Sequence, residues 1–131
     1  MLAAVDTAEG VYLVDLEAEE VIGFEAGGSV AAAKLELSLP RVISAAAAGS
    51  TVVAVVERRP PLVVSHDAGA TWHEAGGGLP PGRAVAISPE HPDLVVYAAR
   101  NRLYLSRDGG RFWQALTPEL PLIEGVEVRA V

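Results

Sequence analysis

Ser65-His66-Asp67-Ala68-Gly69-Ala70-Thr71-Trp72 lies over Ser106-Arg107-Asp108-Gly109-Gly110-Arg111-Phe112-Trp113, with serine, aspartate, glycine and tryptophan each recurring at one constant spacing. A fixed period of this size marks a repeat architecture before any local propensity is weighed. The register extends outward. Leu62-Val63-Val64 matches Leu103-Tyr104-Leu105, Val53 to Val56 matches Leu94 to Tyr97, and Leu79-Pro80 matches Leu120-Pro121. A third Leu-Pro, Leu39-Pro40, precedes the second by nearly the same interval. The chain therefore reads as one domain of repeated units: a degenerate unit over 1–40, octet-bearing units over 41–81 and 82–121, and a closing strand over 122–131.

Within a unit, short apolar runs alternate with turn residues, the pattern of antiparallel strands. In the last unit the runs are Arg83 to Ser88, Leu94 to Ala99, Arg102 to Ser106 and Phe112 to Leu116, broken by Pro89-Glu90-His91-Pro92-Asp93, by Asn101 and by Asp108-Gly109-Gly110. Four strands per unit follow. No segment of ten or more residues carries a helical apolar period, so the helical crossovers of a parallel sheet are missing. Only Ala45 to Ala48 and Leu16 to Ile22 look helical, one cut by Gly49 and the other short. Val52 to Val56 and Leu94 to Ala99 are apolar without alternation, which requires cover on both faces of the sheet. With no helices to supply it, sheets must stack on sheets, and a radial stack of four-stranded units is a β-propeller.

The octets resemble the Asp-box, Ser-x-Asp-x-Gly-x-Thr-Trp, of the sialidase-like BNR-repeat propellers. Thr71-Trp72 completes the pattern in the first copy, whereas Phe112 replaces the threonine in the second. The resemblance covers the two octet-bearing units, from Arg41 to about Leu120. It implies that the octet lies between the third and fourth strands of a blade and that Ser65, Asp67, Gly69, Thr71, Trp72, Ser106, Asp108, Gly110 and Trp113 are structural. An aspartate in a turn accepts backbone N–H groups, glycine supplies positive φ, and tryptophan fills the space beside the sheet. Sialidases also need an arginine triad, a tyrosine nucleophile with a glutamate partner and a further acid, and nothing in the chain locates them. Tyr12, Tyr97 and Tyr104 fall in strands and read as packing; Glu74, Glu90 and Asp93 fall in turns with no spacing that joins them. Assembly factors of photosystem II, sorting receptors and glycan-active enzymes share the broader family, so the fold alone does not fix the task.

Propellers usually have four to eight blades, and three leave apolar flanks open. A homodimer with a six-bladed ring is the expected remedy. Gly125 to Val131 reads as an innermost strand with no blade behind it, and Met1 to Asp6 with Val11 to Leu16 reads as a blade lacking one. Strand exchange between copies would satisfy both, while return of the strand to its own chain is the alternative. Arg41, Arg83 and Arg129 are each placed near the start of an innermost strand, as an anion-binding collar at the channel mouth.

Composition narrows the classes further. The chain has 131 residues, half of them hydrophobic, no cysteine and a net charge of −7. That length buries a sufficient core without disulfides or zinc, and thiol chemistry is absent. Eight acids against Lys34 fill residues 1–38, while the rest is neutral, so no basic face for nucleic acid is evident. The longest uncharged stretch runs only from Val42 to Val56, short of the ~20 residues that span a bilayer. No basic residue precedes an N-terminal apolar run, so a signal peptide is not read and the cytoplasm is expected. His66, His73 and His91 match no metal-ligand spacing. Gly76-Gly77-Gly78 leads to Leu79-Pro80-Pro81 rather than to a helix, and no nucleotide or nucleophile-elbow motif occurs, so no cofactor is expected. The reading is a non-catalytic binding or scaffolding module with a protein or glycan ligand; a glycan-binding or sialidase-type hydrolase is the alternative.

Overall fold

The computed structural model describes residues 1–28, 30, 39 and 41–129. Pro40 of the first Leu-Pro boundary, Lys34, and Ala130-Val131 of the closing strand lie outside them. The described chain is all-β, and none of its elements is a helix long and apolar enough to cross a membrane. In order the strands are β1 (Leu2–Thr7), β2 (Gly10–Asp15), β3 (Glu20–Glu25), β4 (Val42–Ala48), β5 (Thr51–Val56) and β6 (Leu62–Ser65). They continue as β7 (His73–Ala75), β8 (Ala84–Ile87), β9 (Val95–Ala98), β10 (Arg102–Ser106), β11 (Gln114–Glu119) and β12 (Ile123–Arg129).

These strands build three antiparallel sheets of four. The second blade runs β4-β5-β6-β7 and the third runs β8-β9-β10-β11, each a meander from the innermost strand outward. The first blade runs β12-β1-β2-β3, so its innermost strand comes from the far end of the sequence. Both helix-like stretches resolve differently: Ala45 to Ala48 belong to β4, while Leu16 to Glu19 form a turn and Glu20 to Ile22 open β3. A strand buries alternate alanines against a neighbouring sheet, whereas an isolated four-residue helix has no such partner.

The third blade lies between the other two. Ala3, Val5 and Val14 of the first blade pack on Ala84, Val96 and Leu105 of the third in one core. Ala46, Val53 and Val64 of the second blade pack on Val85, Ile87 and Tyr97 of the third in another. Each fully buried valine or leucine contributes roughly 1.5–3 kcal/mol through removal from water. Every residue of β8 is buried, whereas in β4, the innermost strand of a terminal blade, Ile43 and Ala47 are exposed; the central strands β5 and β6 of that blade are buried on both faces, with Ala54, Val56 and Val63 forming a small core of their own on the face away from the third blade. On the face of the first blade turned away from the third, the register sets Leu2 opposite Asp15 and Arg129, Ala4 opposite Glu127, and Asp6 opposite Gly125. Cross-strand partners share a face, so that terminal face carries Asp6, Asp15, Glu127 and Arg129, joined on β3 by Glu20 and Glu25.

The closing strand returns to its own chain. β12 runs antiparallel to β1 of the same chain from Leu2–Arg129 to Thr7–Ile123. The short Leu120-Pro121-Leu122 link delivers it there, tied by Ile123 N–H to Arg100 O at 2.8 Å and by Ala8 N–H to Leu122 O at 3.0 Å. This is the alternative to exchange that the sequence leaves open.

Candidate functional site

Both octets sit in the turn between the third and fourth strands of a blade, β6 to β7 and β10 to β11. Buried Ser65 donates its hydroxyl to Asp67 Oδ1 at 2.7 Å and accepts the Gly69 N–H at 2.8 Å. Asp67 Oδ1 then accepts the Thr71 N–H at 2.8 Å, and Oδ2 accepts the Thr71 hydroxyl. Ser106 and Asp108 repeat the pattern at 2.8 Å toward each other and toward Gly110, with Asp108 Oδ1 accepting the N–H groups of Arg111 and Phe112 at 3.1 and 3.0 Å. The glycines at φ +92° and +99° occupy a backbone region that a side chain disfavours. Each octet is also anchored to the first inter-strand turn of its own blade, through Ala68 N–H to Ser50 O and Gly109 N–H to Asp93 O, both at 2.9 Å.

The electrostatics follow from those bonds. The Thr71 hydroxyl, then the Thr71 N–H and the Ser65 hydroxyl, hold the Asp67 carboxyl down at about 2. Asp108 is also lowered, first by the Phe112 N–H, but lacks the hydroxyl that Phe112 cannot supply. In the degenerate first blade Asp15 stands at the end of the third strand, where the octets have serine, and accepts the N–H groups of Glu17 and Ala18 at 3.0 and 2.9 Å. These carboxylates are bound to their own backbone, and their geometry is that of turn fasteners.

The tryptophans are half-buried. Trp113 donates its indole N–H to Gly110 O at 2.9 Å and meets Tyr97 edge-on at 5.9 Å, while Trp72 packs on the core of Ala54, Val56 and Val63. Tyr97 is fully buried, donates to Pro80 O at 2.6 Å, and has its phenol pKa pushed up by that burial, with Tyr104 adding to it. Tyr12 also packs against the core between the first and third blades. His66 and His73 stack at 5.3 Å between ring centres on the exposed rim; no group of three or more metal-ligating side chains occurs among the described residues.

The arginine collar is redrawn. Arg41 and Arg83 immediately precede β4 and β8, but Arg129 is the last residue of β12, not near its start. Arg83 Nε donates to Ile123 O at 2.6 Å, which puts the starts of β8 and β12 at one end of the molecule. Arg129 therefore stands about 20 Å away along a strand that rises about 3.3 Å per residue. There it pairs with Glu127 at 3.2 Å. The channel between the innermost strands has a volume of about 420 Å³ and is lined by Arg83 together with Asp6, Glu124 and Glu127, so acids outnumber bases along it.

Two other cavities open at the end where β4 and β8 begin, opposite the octets. One, of about 390 Å³, is walled by Ile43, Val56, Leu79 and Pro81 and rimmed by Arg58 and Arg59. The other, of about 500 Å³, is formed by Pro80, Pro81, Tyr104, Arg100 and Arg102. Pro81 is their shared wall. Sequence reasoning passed over these arginines, although Arg59 and Arg100 are separated by the same interval as the two octets.

No protein-family model and no curated protein matches the chain. Among solved structures it is similar to a GH74 enzyme from Niastella koreensis, with a TM-score of 0.55 and 21% identity over 93% of this chain and 18% of that one. It is similar also to YCF48 bound to a D1 peptide, with a TM-score of 0.52 and 22% identity over 92% of this chain and 42% of that one. The chain is a β-propeller. It spans less than half the length of either structure, and the likeness extends to the fold.

Proposed function

We propose that this propeller is a non-catalytic binding or scaffolding module of the BNR/Asp-box kind, placed in the cytoplasm and working without a cofactor. The observation that carries the reading is the pair of adjoining cavities at the strand ends. Each is framed by rigid strand termini and each presents a single carboxylate, Glu57 in one and Glu119 in the other. Glycoside hydrolysis by the usual route needs two carboxyl groups across one cleft. Glu119 is moreover paired with Arg102 at 2.8 Å. The likeness to YCF48, solved with a peptide, agrees with a protein ligand.

A glycan-binding or glycoside hydrolase-like reading is favoured by carboxylates that share a cavity: Asp6, Glu124 and Glu127 in the channel, and, at the octet end, Glu74 with Asp93 in one cavity and Glu90 with Asp93 in another. Against it, both tryptophans are packed on the core and no aromatic side chain lines the channel to stack on a sugar. Probing peptide and glycan arrays with the labelled chain, alongside hydrolysis of fluorogenic glycosides including a sialoside, separates the two. Saturable peptide binding without turnover supports the module; turnover, or binding to glycans alone, overturns it.

A homodimer completing the ring belongs to the same proposal. Its seam would set the charged face of the first blade against the outer face of the second blade in the partner copy, where Ala47 is exposed. A solution mass of about 27 kDa, twice the 13.6 kDa chain, supports it, and a persistent single-chain mass ends it.

A further inference from the structure

The charge of the second and third blades is divided by end. At the end opposite the octets, the second and third blades carry Arg41, Arg58, Arg59, Arg83, Arg100 and Arg102: four in or beside the turns between second and third strands, two just ahead of the innermost strands. The nearby acids of these blades are Glu57 and Glu119, and Glu119 is already held by Arg102. Among the described residues no carboxylate forms an ion pair with Arg41, Arg58, Arg59, Arg83 or Arg100. Asp6 and Glu124 of the first blade stand at the same end, but they line the channel with Arg83 and neither of the cavities beside Pro81. Because charges are screened over about 8–10 Å at ordinary ionic strength, a ligand at this end meets the local arginines more than the net charge.

Shape adds to charge. The cavity beneath Arg58 and Arg59 has apolar walls from Ile43, Val56, Leu79 and Pro81, with room for a side chain of leucine or phenylalanine size. Across the Pro81 wall, the second cavity offers Arg100 and the Tyr104 ring. Guanidinium groups bind carboxylates through two parallel N–H bonds, and proline walls lose little freedom when covered.

We propose that this end of the second and third blades binds an extended acidic peptide, with an apolar residue seated beside Arg58 and Arg59 and carboxylates reaching Arg59 and Arg100 on either side of Pro81. The recurrence of Arg59 and Arg100 at the repeat distance presents two equivalent guanidinium groups on neighbouring blades, so the ligand is read along its length. This rests on the binding reading above and assigns it a surface and a ligand chemistry.

The probe is a fluorescein-labelled peptide of aspartate and glutamate with one central leucine, about ten residues long, enough to cross both cavities at ~3.4 Å per residue. Fluorescence polarisation should show saturable binding that weakens at least tenfold in Arg59→Glu/Arg100→Glu, with far-UV circular dichroism unchanged because both side chains are exposed. Arg107→Glu/Arg111→Glu, at the octet end, should bind as the native chain does. Replacing the leucine by serine should cost at least several-fold, and raising salt should weaken binding further. Equal losses in the two double variants, no effect of Arg59→Glu/Arg100→Glu, or single-stranded DNA competing as well as the peptide would overturn the proposal. If the arrays find peptide ligands that ignore these arginines, the site assignment fails while the binding module stands.

Discussion

Replacing Ser106 with alanine removes one oxygen from the centre of the third-blade octet. That oxygen donates to Asp108 Oδ1 and accepts the Gly110 N–H, both at 2.8 Å, in a position where serine is fully buried. Asp108 keeps the N–H groups of Arg111 and Phe112, so its carboxylate stays satisfied. The Gly110 N–H does not, because its residue is buried and has no other acceptor among the described bonds. A buried donor left without a partner costs about 1–3 kcal/mol. With an unfolding entropy of about 2.1 cal/mol/K per residue, a loss of about 2 kcal/mol corresponds to a fall in Tm of about 7 °C for a chain this size. Differential scanning calorimetry reads it directly. An exposed control, Ser50→Ala, should shift Tm by no more than about 2 °C, corresponding to the ~0.5 kcal/mol typical of surface substitutions. If Ser106→Ala matched that control, the octet serine would not be fastening the turn, and the structural account of both octets would fail with it.

A Cβ at Gly82 would overlap the ring and hydroxyl of buried Tyr97, so Gly82→Ala should destabilise by about 1–3 kcal/mol through overpacking, checked by urea denaturation; a neutral result would mean that the ring is free to move. The closing strand is tested by Asp6→Cys/Gly125→Cys in this cysteine-free chain, since a Cβ on Gly125 lies 3.7 Å from that of Asp6, within disulfide range. Oxidation should leave the covalent mass at one chain, as pairing within the chain requires, whereas a covalent dimer on a non-reducing gel would establish exchange. The lowered pKa of Asp67 means that its octet bonds favour the fold fully above the unfolded value of 3.8 and lose that contribution as pH falls toward about 2. Carbon-detected NMR titration should place the midpoint near 2, and Thr71→Val should raise it; an unmoved midpoint would discount the hydroxyl.

The strands and their fasteners were legible because both are encoded locally. A Ser-x-Asp-x-Gly octet carries its own donors and acceptors within a few residues, and β5 or β9 declares itself by a run of mostly β-branched and aromatic side chains without a charge. Arg129 was misplaced because the bounds of β12 are not legible in the sequence: the strand begins at Ile123, opposite Thr7, and Arg129 ends it. Glu19 was unreadable for a related reason. It accepts the Thr117 N–H at 3.1 Å and the Gln114 amide at 2.9 Å, joining the first and third blades across most of the sequence.

From the amino-acid order alone came the repeat that sets Ser65 over Ser106, the four-stranded unit, the all-β character of the described residues and the placing of each octet in a turn between strands. Only the tertiary structure decided that the third blade lies between the other two, that β12 closes the first blade of its own chain, and that Arg59 and Arg100 open onto neighbouring cavities at one end. The division has a physical cause. Turn bonds and period-two alternation are satisfied within a few residues, whereas which sheet covers which face depends on apolar contacts between segments that the chain holds far apart until it folds.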